Sequence, residues 1–415
     1  MESSEASAGF PEIKVPAALT FAGLVLGFVV GELLRGTAML ESVLAFAAPA
    51  GALWLRALQL TILPLVVGLV YTGISQTLAA AGGDRLARRA VGLFVAVLLA
   101  SGTMAVLVVP FLLTVAPIPA RAVAALSGGT APAGQVPGAA DILMAMMPEN
   151  IFAAAAAGAM LPLVLFVSLL ALAATRIAAA PRRQLSLVFE GLAAAMMVIV
   201  GWVLMLAPIG VFGLAIALGA KSGPDAIGAL AHYILVVVAA GTVVMLGGYV
   251  LAVWLGKQKL GAFARAMLPV HAVAISTQSS LACLPAMLAA SRRLGVREST
   301  SDFVLPLAVA IFRGTSPAMN LGVAIYAAYL TGTPLSVPAL AAGVVVAFLV
   351  SLSSVSLPGT LSFIISVGPI AMAMGVPVTP LGLLVAVEML PDLMRTLGNV
   401  TMDVAVTAAV DEGHD

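Results

Sequence analysis

The sequence predicts an all-α polytopic membrane protein with eight transmembrane helices and two re-entrant helical hairpins arranged as inverted repeats. Three observations predict it. Of 415 residues, 62% are apolar and only 9% are charged, far below the roughly 25% charge of soluble domains. The apolar runs are long enough to cross a hydrocarbon core of about 30 Å. Two further apolar segments have serine-rich, proline-containing centres; the basic cluster after the first and the position of the second after the seventh span place them on opposite faces of the membrane.

The spans are expected at 15–33, 43–79, 86–115, 151–179, 186–219, 226–256, 300–330 and 379–410. The segment before the first is acidic and lacks the basic start of a cleaved signal peptide, so the first run reads as a retained span. Arg85, Arg88 and Arg89 follow the second span, Arg182 and Arg183 the fourth, and Lys257, Lys259 and Arg265 the sixth. Basic loops face the cytoplasm, which puts both termini there. A net charge of +1 suggests neither nucleic acid nor an acidic partner. Cys283 is the single cysteine, so no intrachain disulfide is possible, and His232, His271 and His414 are too scattered for a zinc site.

The segment 261–291 is followed by Arg292, Arg293 and Arg297. If it crossed the membrane, this basic cluster would lie outside, so it is expected to enter from the cytoplasm and return. Its centre, Ser276 to Pro285, is polar. The segment 338–376 has a similar centre at Ser353 to Gly359 and is expected to dip in from the other face. Irregular backbone at membrane depth is tolerated only where protein or a water-filled cavity surrounds it. In secondary transporters such a pair marks a site near the midplane.

The last span carries Asp392, Arg395, Thr396, Asn399 and Asp403. At about 100° per residue, steps of three, four, seven and eleven put them on one stripe roughly 100° wide. A formal charge at membrane depth costs about 2.5–3.5 kcal/mol even on lenient scales. Such residues persist only facing protein, water or a ligand. A guanidinium offers a carboxylate a bidentate fork, a carboxylate suits an ammonium group, and hard oxygens suit an alkali cation. The stripe therefore fits a small zwitterion or anion with a cation beside it.

These residues resemble the dicarboxylate/amino acid:cation symporter family, which includes the glutamate and aspartate transporters, over nearly the whole chain. The resemblance runs through Leu63–Val66, Ala207–Phe212, Thr277–Pro285, Phe303–Leu307, Leu357–Gly359 and, most specifically, Asp392–Asp403. It implies an inner-membrane elevator-type secondary transporter that is not an enzyme, needs no cofactor beyond Na+ or H+ as coupling ion, and forms a homotrimer. Spans 1 and 2 (1–80) and 4 and 5 (121–222) would form a scaffold; span 3 (81–120) and residues 223–415 would form the moving transport unit. For substrate binding it implies Ser279, Ser280, Ser316, Leu357, Pro358, Gly359, Asp392, Arg395, Thr396 and Asn399, with Asp392 on an α-amino group and Arg395 on a side-chain carboxylate. A sodium site would be drawn from Asp403, Asn399 and the carbonyls near Ala308 and Phe312.

The seventh span departs from the family pattern. Where relatives carry Asn-Met-Asp-Gly-Thr, this chain has Phe312, Arg313, Gly314, Thr315 and Ser316. The side chains that bind sodium are replaced, and Arg313 enters the cation region as a coupling residue in its own right, a tethered cation paired with Asp403. No other charge lies between residues 314 and 387, so snorkelling to an interface is difficult. Glu388, one turn before Asp392, is a further protonation candidate, and His232 and His271 read as hydrogen-bonded core histidines. The expected substrate is aspartate or glutamate, carried with altered, reduced or proton-based coupling. The alternatives are an uncoupled anion facilitator or channel, and a C4-dicarboxylate carrier, against which Asp392 argues by charge repulsion. An intramembrane hydrolase built on Ser279 or Ser353 with His271 lacks any base at a recognisable spacing.

Overall fold

The computed structural model describes residues 16–83, 85–119, 147–222, 225–352 and 359–411. They form helices joined by turns and short extended stretches, with no strand among them. The first half comprises α1 (Ala17–Leu34), α2 (Met39–Ala81), α3 (Arg85–Val115), α4 (Ile151–Ala156), α5 (Met160–Ala174), α6 (Ala179–Met205) and α7 (Ala207–Ser222). The second comprises α8 (Asp225–Trp254), α9 (Leu260–Thr277), α10 (Leu284–Arg293), α11 (Glu298–Ile311), α12 (Ser316–Thr331), α13 (Val337–Leu352), α14 (Gly359–Ala373), α15 (Leu381–Leu384), a 3-10 turn (Val385–Val387) and α16 (Met389–Val410).

Among the described residues, Met39–Ala81, Arg85–Val115, Ala179–Met205, Ile227–Trp254 and Leu260–Thr277 are long and apolar enough to cross a membrane. Shorter apolar helices include Ala18–Leu34 and Val337–Leu352. Three expected continuous spans are broken. Residues 151–179 divide into α4 and α5, where Gly158 turns the chain at φ 71°, a conformation open mainly to glycine. Residues 186–219 fall in α6 and α7, which meet at Leu206. The span expected at 379–410 begins as α15 and the 3-10 turn, and its regular helix starts only at Met389. Pro391 accounts for this. Its ring would clash with the carbonyl four residues back, but in the first turn its missing N–H needs no partner.

The seventh span breaks at residues 312–315, where Gly314, Thr315 and Pro317 can unwind a helix. α11 ends at Ile311, Phe312 is extended (φ −120°, ψ 120°), and α12 begins at Ser316 with Pro317 in its first turn. The Phe312 ring stacks on Phe94 of α3 with centroids 4.5 Å apart. The first hairpin also forms. α9 stops at Thr277, Gln278 adopts φ 51°, and α10 packs back against α9. The tip of the second hairpin, including Leu357 and Pro358, lies outside the described residues; Gly359 opens α14.

α1 packs mainly on α7, and α2 on α6 and α7, while α8 packs on α16 and α3 on α12. A second apolar cluster joins α9, α10, α11 and α16 through Phe263, Met267, Met287, Leu305 and Val404. At the α1–α7 seam, Gly23, Gly27 and Gly31 face the backbone carbonyls of Pro208, Phe212 and Ile216. Small residues four apart let backbones approach this closely, and such van der Waals packing is one of the forces that associate helices in lipid. At the far end of α16, Asp411 accepts hydrogen bonds from Arg297 Nε (2.7 Å), Arg297 N (3.2 Å) and Thr300 Oγ1 (2.8 Å). Burial alone would push the Asp411 carboxyl up, but these bonds and the Arg297 charge outweigh it and hold the carboxyl below its ordinary value.

Two outcomes follow from this packing. A Cβ on Gly27 would sit 2.5 Å from Phe212 O and 2.9 Å from Ala215 Cβ, so Gly27→Val is expected to lower the thermal midpoint in detergent, by the equivalent of about 1–3 kcal/mol. Gly92, with open space around it, should accept Ala without loss. The Asp411 contribution has the sign of a depressed carboxyl: present above the unfolded-state value and lost as pH falls through the folded value. Asp411→Asn should flatten the acid limb of thermal stability, and an acid limb identical to wild type would contradict the assignment.

Candidate functional site

The stripe expected on the last span is buried along its length. Asp392 is 5% exposed, Arg395 3%, Thr396 5%, Asn399 3% and Asp403 1%. Its neighbours come from α8, the first hairpin and the α11–α12 break, and each is held by a specific bond. Arg395 is the centre. Nη1 donates to Asp392 Oδ1 at 2.7 Å, one turn back, and Nη2 donates to Glu388 Oε1, two turns back. Glu388 is fully buried, and its second oxygen accepts from Tyr233 Oη on α8 at 3.2 Å. Arg395 Nε is buried with no hydrogen-bond partner among the described residues.

Farther along α16, Asn399 Oδ1 accepts from the backbone N of Thr315 at 2.9 Å, which pins the α11–α12 break to the stripe. Gly398 lies directly against the Thr315 side chain. Arg313, in the break, is buried, and its charge interacts most with Asp403, then with Asp392, and unfavourably with Arg395. The first hairpin docks on the same helix. His271 Nε2 is 2.8 Å from Thr401 Oγ1, whose own proton goes to Leu397 O. His271 Nε2 is therefore the donor. His232 likewise bonds Ala116 O (2.9 Å) and Tyr326 Oη (3.2 Å), so both histidines are hydrogen-bonded within the helix packing.

Ser280 is buried, and Ser279 Oγ accepts from Ala282 N at 3.3 Å. Cys283, beside them, lies within the field of Asp403. Of the expected sodium carbonyls, Ala308 O accepts from Phe312 N at 2.8 Å as the helix ends. The structure thus brings Ser316, Arg313, Asp392, Arg395, Thr396, Asn399 and Asp403 together.

Among the described residues, a set of buried polar atoms here has no hydrogen-bond partner: Arg395 Nε, Asp403 Oδ1 and Oδ2, Thr315 Oγ1, Ser316 Oγ, and Asn320 Oδ1 and Nδ2. Native proteins leave few buried polar groups unsatisfied, and those that remain call for an explanation such as water, an ion or a ligand. These atoms come from α16 and the start of α12. Asn320 was missed in the sequence, where a lone amide in an apolar run reads as packing; its position four residues after Ser316, on one helix face, was the available signal. Tyr233 gave no signal, because its partner is 155 residues away.

Residues 17–412 match the model of the sodium:dicarboxylate symporter family. The chain is 24% identical over 389 residues to the proton/sodium-glutamate symport protein of Bacillus caldotenax, covering 92% of this chain and 90% of that one. It is 26% identical over 294 residues to C4-dicarboxylate transport protein 1 of Pseudomonas aeruginosa strain UCBPP-PA14, covering 71% of this chain and 64% of that one. It is 28% identical over 267 residues to the proton/glutamate-aspartate symporter of Escherichia coli K12, covering 62% of this chain and 59% of that one. With nearly its whole length matched and its charged stripe buried, this chain belongs to the sodium:dicarboxylate symporter family.

Proposed function

We propose that the protein is a symporter for a small anionic amino acid, aspartate or glutamate, and that its cation coupling is altered from the sodium-driven form. The observation that carries this reading is Arg395: a buried guanidinium with an unpartnered Nε, beside a buried carboxylate, Asp392. A free N–H on a fork suits a substrate carboxylate, and Asp392 suits the ammonium of an amino acid. Thr396, Asn399, Ser279, Ser280 and Ser316 would line the remainder, with Leu357, Pro358 and Gly359 of the second hairpin.

A plain dicarboxylate would bring a second negative charge to Asp392, which favours the amino acid over the C4 acids named for some relatives. In this reading eight spans cross the inner membrane with both termini cytoplasmic. The α1–α7 and α2–α6 packing supports a scaffold, and the α8–α16 and α3–α12 packing supports a transport unit that moves as an elevator within a homotrimer.

Coupling rests on Arg313. Its guanidinium stands where relatives bind cations, in the field of Asp403. A fixed positive charge within about 4–6 Å stabilises a carboxylate and repels an incoming cation. Arg313 then substitutes for sodium, and Asp403, Asn399 and the Ala308 and Phe312 carbonyls hold a weak sodium site or none.

Two measurements test these roles. Arg395→Ala should weaken L-aspartate binding by tens- to thousands-fold, the cost of about 2–5 kcal/mol for an unpaired buried charge. Arg395→Lys keeps a charge for Glu388 and Asp392 but loses the fork, so it should fold normally and still bind poorly. Unchanged calorimetric affinity in either variant would remove the assignment. For Arg313, L-aspartate binding titrated against sodium should be shallow in wild type and steeper in Arg313→Met. Steep, multi-ion dependence in wild type would return the chain to ordinary sodium coupling.

A further inference from the structure

We infer that Glu388 is the proton-binding carboxyl of this transporter, taking up one proton with each anionic substrate; this rests on the substrate reading of Arg395 above. Charge counting inside the cluster carries the inference. Arg395 already faces two carboxylates of its own helix, Asp392 through Nη1 and Glu388 through Nη2. With both ionised, the three groups sum to one negative charge in a setting where Glu388 is fully buried and Asp392 and Arg395 are 5% and 3% exposed. An acidic amino acid carries two carboxylates and one ammonium, a net charge of −1, with its side-chain carboxylate at the guanidinium and its ammonium at Asp392. Binding it takes the site from one negative charge to two in low dielectric, which is strongly unfavourable. One proton per substrate keeps the total at one.

The position of the proton follows from the surroundings. Asp392 acquires the substrate ammonium and stays ionised. Glu388 has no such partner. Its Oε2 accepts from Tyr233 Oη at 3.2 Å, and its Oε1 shares Arg395 with whatever occupies the fork. On protonation, Glu388 Oε1 releases Nη2, which joins the unpartnered Nε as a two-pronged donor for the substrate carboxylate. The proton is bound from water on the side where substrate enters and is released with it on the other. No covalent bond to substrate forms.

Few other ionisable groups bear on this carboxyl. α16 supplies Arg395 and Asp392, and α8 supplies Tyr233. Tyr326 of α12 reaches the cluster through an edge contact with the Tyr233 ring, centroids 5.3 Å apart. α14 and α15 carry no ionisable side chain, and on α1 the ionisable residue is Glu32, which pairs with Arg35 at 3.7 Å. Glu388 stands at the start of α16, ahead of Pro391, so its backbone is fixed by the helix origin while its side chain alone responds.

The test uses the purified full-length protein with L-aspartate as probe. Calorimetry at one pH in buffers of differing ionisation enthalpy reads the protons taken up per substrate bound. Wild type is expected to take up about one, and its affinity to weaken about tenfold per pH unit on the alkaline side, as one linked proton requires. Glu388→Gln should take up none, with affinity flat across the same pH range. Tyr233→Phe should keep the single proton and move the midpoint, which a purely structural tyrosine would not do. If Glu388→Gln does not fold, the wild-type stoichiometry and the Tyr233→Phe shift still decide. Wild-type binding without proton uptake would overturn the inference and leave the substrate reading standing. So would an undiminished proton in Glu388→Gln. If wild type binds neither L-aspartate nor succinate, the anionic-substrate reading fails and takes this inference with it.

Discussion

A single buried guanidinium organises the second half of this molecule. Arg395 is held by Glu388 and Asp392 from its own helix, and removing one member of such a buried set typically costs about 3–5 kcal/mol because the others are left unpaired. The surrounding architecture follows from keeping that set intact. α16 must begin late enough for Glu388 to turn back along it, which Pro391 enforces. α8 must pack closely enough to bring Tyr233 to Glu388. The α11–α12 break must lie against the same helix, and the Asn399 bond to Thr315 N holds it there.

That arrangement also explains why so many polar atoms near the break lack partners. Thr315, Ser316 and Asn320 project from a helix start that is held by backbone contacts to Asn399 and by the Phe312–Phe94 stack. The bonds that hold the break in place do not use their polar side-chain atoms. Asp403 differs: neither of its oxygens accepts a hydrogen bond, and the charge bearing on it is Arg313.

Much of this was legible in the sequence because the signals were local. Charges spaced at helical intervals in an apolar run mark a buried stripe, and Gly314, Thr315 and Pro317 mark a break. Arg292, Arg293 and Arg297 after 261–291 favour a hairpin, and α10 does pack back on α9. What was not legible depended on partners distant in the chain. Tyr233 meets Glu388 across 155 residues, and the glycines of α1 gain meaning only against the carbonyls of α7. The late start of α16 was missed for another reason. Hydrophobic periodicity runs through 379–410 without a pause, and a single proline ring, which periodicity does not register, decides where the regular helix begins.

If Arg313 takes a coupling cation's place, as proposed, a thermodynamic consequence follows. A sodium ion that binds on one side and departs on the other delivers its electrochemical gradient to the substrate, with about 2.3 kcal/mol per charge for each 100 mV of membrane voltage. A guanidinium anchored to the backbone never departs. Whatever voltage does to it on the outward stroke is undone on the return, so over a closed cycle it contributes no work. Replacing a visiting cation by a resident one therefore preserves the local charge balance around Asp403 while lowering the steepest concentration ratio the carrier can sustain.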